Sequence, residues 1–130
     1  MFNWKTRNQG SKIVTIYETN ITLNKSASTY FNHAYSVLLG IDDDTKQLGI
    51  KPLSKEEFER GDIPEEKLYK ISARSSYARI SNKSFVTDLS KQLGLDFEQN
   101  KLYKFSASWN DSQKVLVVDL QSAEEEPHNG

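Results

Sequence analysis

The residues best suited to bind a ligand form one basic segment in the second half of the chain. Residues 67–87 contain five cations and no Asp or Glu. The stretch KLYKISARSSYARISNK alternates these cations with serines and two tyrosines. Lys, Arg and short hydroxyl side chains together are typical of phosphate contacts, and Arg can also bind guanine edges. With a cation predicted at the start of an earlier helix, the candidate nucleic-acid contacts are Lys25, Lys70, Arg74, Arg79 and Lys83.

The same segment is compatible with a second class of function. Cations on an exposed strand also protect a sheet edge against aggregation, and aromatic side chains between them favour a protein partner. The candidate partner contacts are Trp4, Tyr69 and Tyr77. Two functions therefore stay open. One is a DNA-binding regulator. The other is a protein-interaction or inhibitor module of a mobile element, a phage or a bacterial host.

Enzymatic readings find little support in the residue types. The chain has no cysteine, and its two histidines, His33 and His128, lie far apart without a nucleophile or ligand cluster beside them. The aspartates at 42–44 lack the spacing of a calcium loop, and the glutamates of residues 56–66 lie in a polar connector. We therefore expect no catalytic residue, no metal and no cofactor.

Length and charge limit the partners and the compartment. The chain has 130 residues, about the commonest size of a single domain, and a net charge of −1, too small to attract DNA over long range. The absence of cysteine suits a reducing compartment, and no apolar run is long enough to cross a bilayer. These features predict a cytoplasmic protein without a membrane partner, as a monomer or a homodimer.

Hydrophobic periodicity predicts an α+β protein that is rich in strands. Strands are expected at residues 12–18, 21–23, 35–41, 47–51, 68–74, 77–80, 101–109 and 114–120. Asn24 and Asn82 are good N-caps for helices over residues 25–32 and 83–93, and a short helix is expected at 54–60. Residues 1–11 are predicted to be a flexible arm, and residues 121–130 an acidic, solvated tail.

The motif of a strand that leads into a capped helix occurs twice. Asn24-Lys-Ser aligns with Asn82-Lys-Ser, and Phe31 then aligns with Leu89. Farther on, the alignment pairs Leu48 with Val115, Ile50 with Val117 and Leu53 with Leu120. Residues 12–53 and 68–120 thus form two predicted β-α-β-β repeats, joined by a connector at 54–67. One repeat would expose an apolar face and an unpaired edge, so we expect a pseudo-twofold, barrel-like or interleaved antiparallel sheet with short helices on its rim.

Two resemblances accompany this pattern. The segments ITLNKSASTYF, SVLLGIDDDTKQLGIKPL and ARISNKSFVTDLS, with a closing LVVDL, resemble a family of small prokaryotic and phage proteins. Each half is also similar to the swapped-hairpin domains of the AbrB/SpoVT and MazE type, and Lys51-Pro52 lies where those domains carry a basic-Pro pair. The second resemblance implies transcription regulation through DNA binding, with two units on one chain where such domains form dimers.

Overall fold

The structure, a computed structural model, describes residues 1–2 and 11–128. Trp4 and the other residues of 3–10 in the predicted arm lie outside the described residues. The expected fold class is confirmed, because short helices surround one curled antiparallel sheet. Within the described residues, no helix is long and apolar enough to cross a membrane.

The described residues form nine strands and three α-helices. The strands are β1 Lys12–Tyr17, β2 Asn20–Leu23, β3 Ser36–Asp42, β4 Gln47–Leu53, β5 Ser72–Ala73, β6 Ala78–Ser81, β7 Asn100–Asn110, β8 Val115–Asp119 and β9 Glu124–Pro127. The helices are α1 Lys25–Ser28, α2 Lys55–Glu59 and α3 Lys83–Leu93, and 3-10 turns span Thr29–Phe31 and Glu65–Lys67.

The sheet is curled and its two ends meet. The strand order is β3-β4-β8-β7-β1-β2-β6-β5, and β9 pairs with β7 beside β8. Tyr69, just before β5, pairs with Val37 in β3 at the opposite end of this order. The sheet therefore encloses its apolar face in the manner of a barrel.

Strand register shows a pseudo-twofold relation between the halves. In the β4–β8 ladder, Leu48 pairs with Val118 and Ile50 pairs with Leu116, so the ladder is centred on Gly49 and Val117. In the β2–β6 ladder, Ile21 pairs with Ile80 and Leu23 with Ala78, around the central pair of Thr22 and Arg79. Exchanging the halves maps each ladder onto itself.

The residue alignment predicted for the two hairpins is wrong by one position. Leu48 and Ile50 are buried in β4, whereas the buried residues of β8 are Leu116 and Val118, not the predicted Val115 and Val117. The turns agree with this shift, because Lys46 and Lys114 have the same left-handed φ of 55°. Asp44-Thr45 and Asp111-Ser112 are similar in sequence but lie one position out of this register, so turn composition alone favours the other alignment.

Both halves contribute equally to one core. Of the eighteen buried residues of the hydrophobic cluster in the described part of the chain, nine precede the connector and nine follow it. Phe31 and Leu89, the predicted counterparts in the two helical segments, are both fully buried. The halves therefore share a single interior and form one domain.

Two predicted segments differ in the structure. The strand expected at residues 68–74 is reduced to the Tyr69 bridge and the short β5, because the hairpin turn begins at Arg74, whose N–H donates to the carbonyl of Tyr77. The expected solvated tail contains β9, which pairs with β7. Opposite charges favour that pairing, since Lys101 forms an ion pair with Glu126 at 3.0 Å.

The two cap residues allow a matched test of local stability. Asn82 Oδ1 accepts only the N–H of Phe85, whereas Asn24 Oδ1 accepts the N–H groups of Ala27 and Ile13, and its Nδ2 donates to the carbonyl of Ser11. We expect Asn82→Ala to cost about 1 kcal/mol and Asn24→Ala about 2–3 kcal/mol, because the second change also removes the hydrogen bonds of the Asn24 side chain to the Ile13 N–H and the Ser11 carbonyl. Urea unfolding of both variants measures the difference, and equal costs would contradict it.

Candidate nucleic-acid interface

A row of polar side chains crosses the outer face of the sheet. Along this row, Arg79 in β6 pairs with Thr22 in β2 on one side and with Ser72 in β5 on the other. Thr22 pairs in turn with Thr15 of β1, and Thr15 pairs with Lys104 of β7. We call these five residues the outer row. Because side chains alternate along a strand and the neighbours of these residues are buried or half-buried, the outer row faces solvent.

Arg79 occupies the centre of the candidate surface. Its guanidinium lies 5.1 Å from the centre of the Tyr77 ring, which holds the cation against the sheet. Arg74 begins the turn between β5 and β6 and is exposed, and Lys70 precedes β5 and is also exposed. The three cations thus belong to the same β5–β6 hairpin and its approach.

The other two predicted cations begin helices. Lys25 follows the cap Asn24 at the start of α1, and Lys83 follows Asn82 at the start of α3. Antiparallel pairing of β2 with β6 puts these two helix starts beyond opposite ends of that ladder. Lys25 and Lys83 therefore flank the outer row, and both are exposed.

Carboxylates are separated from these cations. Strands β1, β2, β5 and β6 contain no Asp or Glu, and in the described ranges none of the five predicted cations has an ion-pair partner within 4 Å. The carboxylates next to these strands are Glu18, which is exposed in the turn between β1 and β2, and Glu124 of β9, which pairs across from Lys104. The surface is thus open to an anion over four adjacent strands.

Tyr69 and Tyr77, predicted as partner contacts, are both half-buried and have structural contacts. The rings of Tyr69 and Phe85 are in an edge-to-face arrangement with their centres 5.5 Å apart, and the main chain of Tyr69 pairs with Val37. The Arg79 guanidinium lies over the ring of Tyr77. Tyr69 also lines a surface hollow beside β3, where part of its side chain stays accessible.

The carboxyl groups with shifted pKa values perform structural tasks. Hydrogen bonding from the Ser54 backbone lowers the pKa of Glu57, which completes the capping box of α2. The Thr45 backbone N–H lowers the pKa of Asp42 in the β3–β4 turn, and the Lys114 ammonium lowers the pKa of Asp111 in the β7–β8 turn. A hydrogen bond from Lys101 lowers that of Glu126. All four shifts favour the ionised form, which is the opposite of what a general acid requires.

Neither histidine lies in a metal-ligating cluster of the described residues. Nε2 of His128 lies 2.9 Å from the carbonyl oxygen of Phe97, and His33 is exposed beside the 3-10 turn after α1. In the part of the chain that is described, no group of three His, Asp or Glu side chains is positioned to hold a metal ion.

Sequence reasoning missed an aromatic stack on the rim. The rings of Tyr30 and Trp109 are nearly parallel, with their centres 4.1 Å apart, and Nζ of Lys12 lies 5.7 Å from the centre of the Tyr30 ring. The rings of Phe31 and Trp109 are nearly perpendicular, with their centres 6.4 Å apart, so the stack adjoins the buried Phe31. Its members are distant in sequence, and the packing of α1 and the following turn against β1 and β7 brings them together.

Comparison with protein-family models, with curated proteins and with solved structures found no match. The geometry of the described residues is therefore the basis of the functional assignment.

Proposed function

We propose that the chain is a non-enzymatic protein that binds duplex DNA through the outer face of β5, β6, β2 and β1. The observation that carries this proposal is the outer row, in which Arg79 lies between two hydroxyl residues on four strands that lack carboxylates. Hydroxyls and cations on one face can hold successive phosphates, while Arg79, which has no ion-pair partner among the described residues, is available for a base edge.

The dimensions of the surface suit a DNA groove. Neighbouring strands lie about 4.8 Å apart, so the main chains at Arg79 and Lys104 are separated by about 14 Å, close to the width of a major groove. A two-stranded antiparallel ribbon such as β2–β6 fits within that groove. The cations Lys25 and Lys83 then lie toward the flanking backbones.

The pseudo-twofold symmetry affects the kind of DNA site that the chain would prefer. The axis passes between Thr22 and Arg79, so one chain presents two related halves to DNA, as a dimer of single units would. The central residues differ in type, however, and the preferred site should therefore be asymmetric. The resemblance to AbrB-type domains supports a regulatory role for such binding.

Electrophoretic mobility shift on duplex DNA tests the proposal. The wild-type protein should bind at low salt, and log Kd should change with log salt with a slope of about 4, since up to five phosphates are neutralised. Arg74→Ala combined with Arg79→Ala should reduce the affinity by about tenfold or more. Removing the outer-row arginine costs both phosphate and base contacts.

A charge-matched variant separates this surface from general attraction. Arg60 and Lys91 are exposed at the ends of α2 and α3, away from the outer row. Arg60→Ala combined with Lys91→Ala removes the same charge and should leave the affinity within about twofold of wild type. The absence of any shift at low salt, or equal losses in the two double variants, would refute the proposal.

A further inference from the structure

The pseudo-twofold is broken at one seam of the sheet. Strand β1 pairs with β7 over its full length, from Lys12–Tyr17 to residues 102–107. The corresponding seam on β3 consists of one residue pair, in which the N–H groups of Val37 and Tyr69 each donate to the other's carbonyl at 2.9 Å. Before Tyr69 the chain leaves β3 through the 3-10 turn Glu65–Lys67. Most of the strand pairing that the symmetry would supply along β3 is therefore missing.

The break leaves main-chain groups of β3 exposed at its edge. Alternate residues of an antiparallel strand direct their N–H and C=O groups to opposite sides. Because Val37 directs its groups toward Tyr69, Leu39 and Ile41 direct theirs the same way, while the other side of β3 pairs with β4. Among the residues whose structure is described, none bonds to the outward N–H and C=O groups of Leu39 and Ile41.

A hollow of about 570 Å³ lies beside this open edge. Its lining is largely apolar, because it includes Leu38, Val115 and the side chain of Tyr69. Gly40 and Gly49 also line it and add no side chain. A Cβ built on Gly40 would meet no atom within 4 Å, so another chain can approach the strand closely there. Lys51, Glu66 and Lys67 form the rim, which gives it an excess of positive charge.

We propose that β3 binds an extended segment of a partner protein as an added antiparallel strand. The segment bonds to the main chain of Leu39 and Ile41 and places an apolar side chain in the hollow, while a carboxylate of the segment meets Lys51 or Lys67. This inference is independent of DNA binding, because it concerns the edge of β3, whereas the proposed DNA surface is the outer face of β5, β6, β2 and β1.

The fold itself indicates an extended segment as the occupant. On the twin strand, β7, an antiparallel strand is already present: the alternating KIVTIY of β1 pairs with β7 as far as Ala107, the counterpart of Leu39. The turn Glu65–Lys67 lines the hollow opposite β3, so the gap suits a single extended chain. A second folded copy would bring its own neighbouring elements into the same space. Strand addition of this kind derives its affinity from main-chain hydrogen bonds and its specificity from side-chain pockets.

Selection from a displayed library of short linear peptides tests the proposal. Peptides enriched on the wild-type protein should bind Gly40→Lys at least about tenfold more weakly, because the new side chain fills the hollow and adds charge at the edge. Ser108, exposed in β7, is the pseudo-twofold counterpart of Gly40. Ser108→Lys is therefore the matched control and should bind the peptides like wild type.

Amide exchange identifies the edge directly. In wild type, the bound peptide should slow hydrogen exchange at Leu39 and Ile41, whose N–H groups gain partners. Melting curves of the two lysine variants verify that both fold. Failure to enrich peptides, equal binding to Gly40→Lys, or unchanged exchange at Leu39 and Ile41 would overturn the proposal. A wild-type dimer that Gly40→Lys converts to a monomer would also overturn it, by assigning the edge to a second copy.

Discussion

Truncating Phe31 to alanine should lower the free energy of unfolding by about 3–5 kcal/mol, and Leu89→Ala should lower it by about 2–5 kcal/mol. Both side chains are fully buried, and they hold corresponding positions in the helical segments of the two halves. Phe31 also supports the rim stack through its edge contact with Trp109. A domain of this size has about 5–15 kcal/mol of stability, so either loss is a large fraction of the total.

Chemical denaturation with a matched surface variant measures this effect. Lys91 lies on the same helix as Leu89 but is exposed, and Lys91→Ala should change stability by less than about 0.5 kcal/mol. The slope of the unfolding curve should stay constant, which confirms that the same cooperative unit unfolds. An unchanged melting temperature for Leu89→Ala would mean that the buried face of α3 is wrongly assigned.

Features governed by neighbouring residues were predictable from the sequence. Asn24 and Asn82 cap helices as expected, since a cap needs only a side-chain oxygen three residues before its N–H partner. Gly94 adopts the left-handed conformation, with a φ of 71°, at the end of α3. The apolar stripe of α3 likewise indicates Leu89 as a core residue, and Leu89 is fully buried.

Features that depend on pairing between distant strands were not predictable. The polar composition of the last residues indicates solvent, but β7 offers Lys101 and Lys104 to Glu126 and Glu124, and β9 forms. The strand predicted before Arg74 keeps only the Tyr69 bridge to β3 and the short β5, whose hairpin turn begins at Arg74. Neither outcome has a local signal.

The candidate site also has features that the sequence predicts and features that depend on strand pairing. Exposure of all five predicted cations follows from their polarity, and the sequence indicates it correctly. The outer row depends on the register of β6 with both β2 and β5, which no window of sequence contains. The open edge of β3 is still less visible, because it is the absence of a strand that symmetry would supply.

Neither half of the chain should fold when it is produced alone. Strands β1, β2 and β4 of the first half pair with β7, β6 and β8 of the second, so separation would open three ladders at once. Each half would also expose its nine residues of the shared core. Most of the pieces that remain are two-stranded hairpins with an unpaired edge and an uncovered apolar face, and such hairpins are marginally stable at best in water.

Fragments divided at Gly61 provide the test. This residue is exposed, has a φ of 69° and lies in the connector, so a break there disturbs no ladder. Residues 1–60 and 61–130 should each lack a cooperative thermal transition in circular dichroism, and an equimolar mixture should regain one. Protein cut at the same position after folding should stay associated, which serves as the control. A cooperative transition in either isolated fragment would contradict a core that requires both halves, and the pseudo-twofold would then join two independent domains.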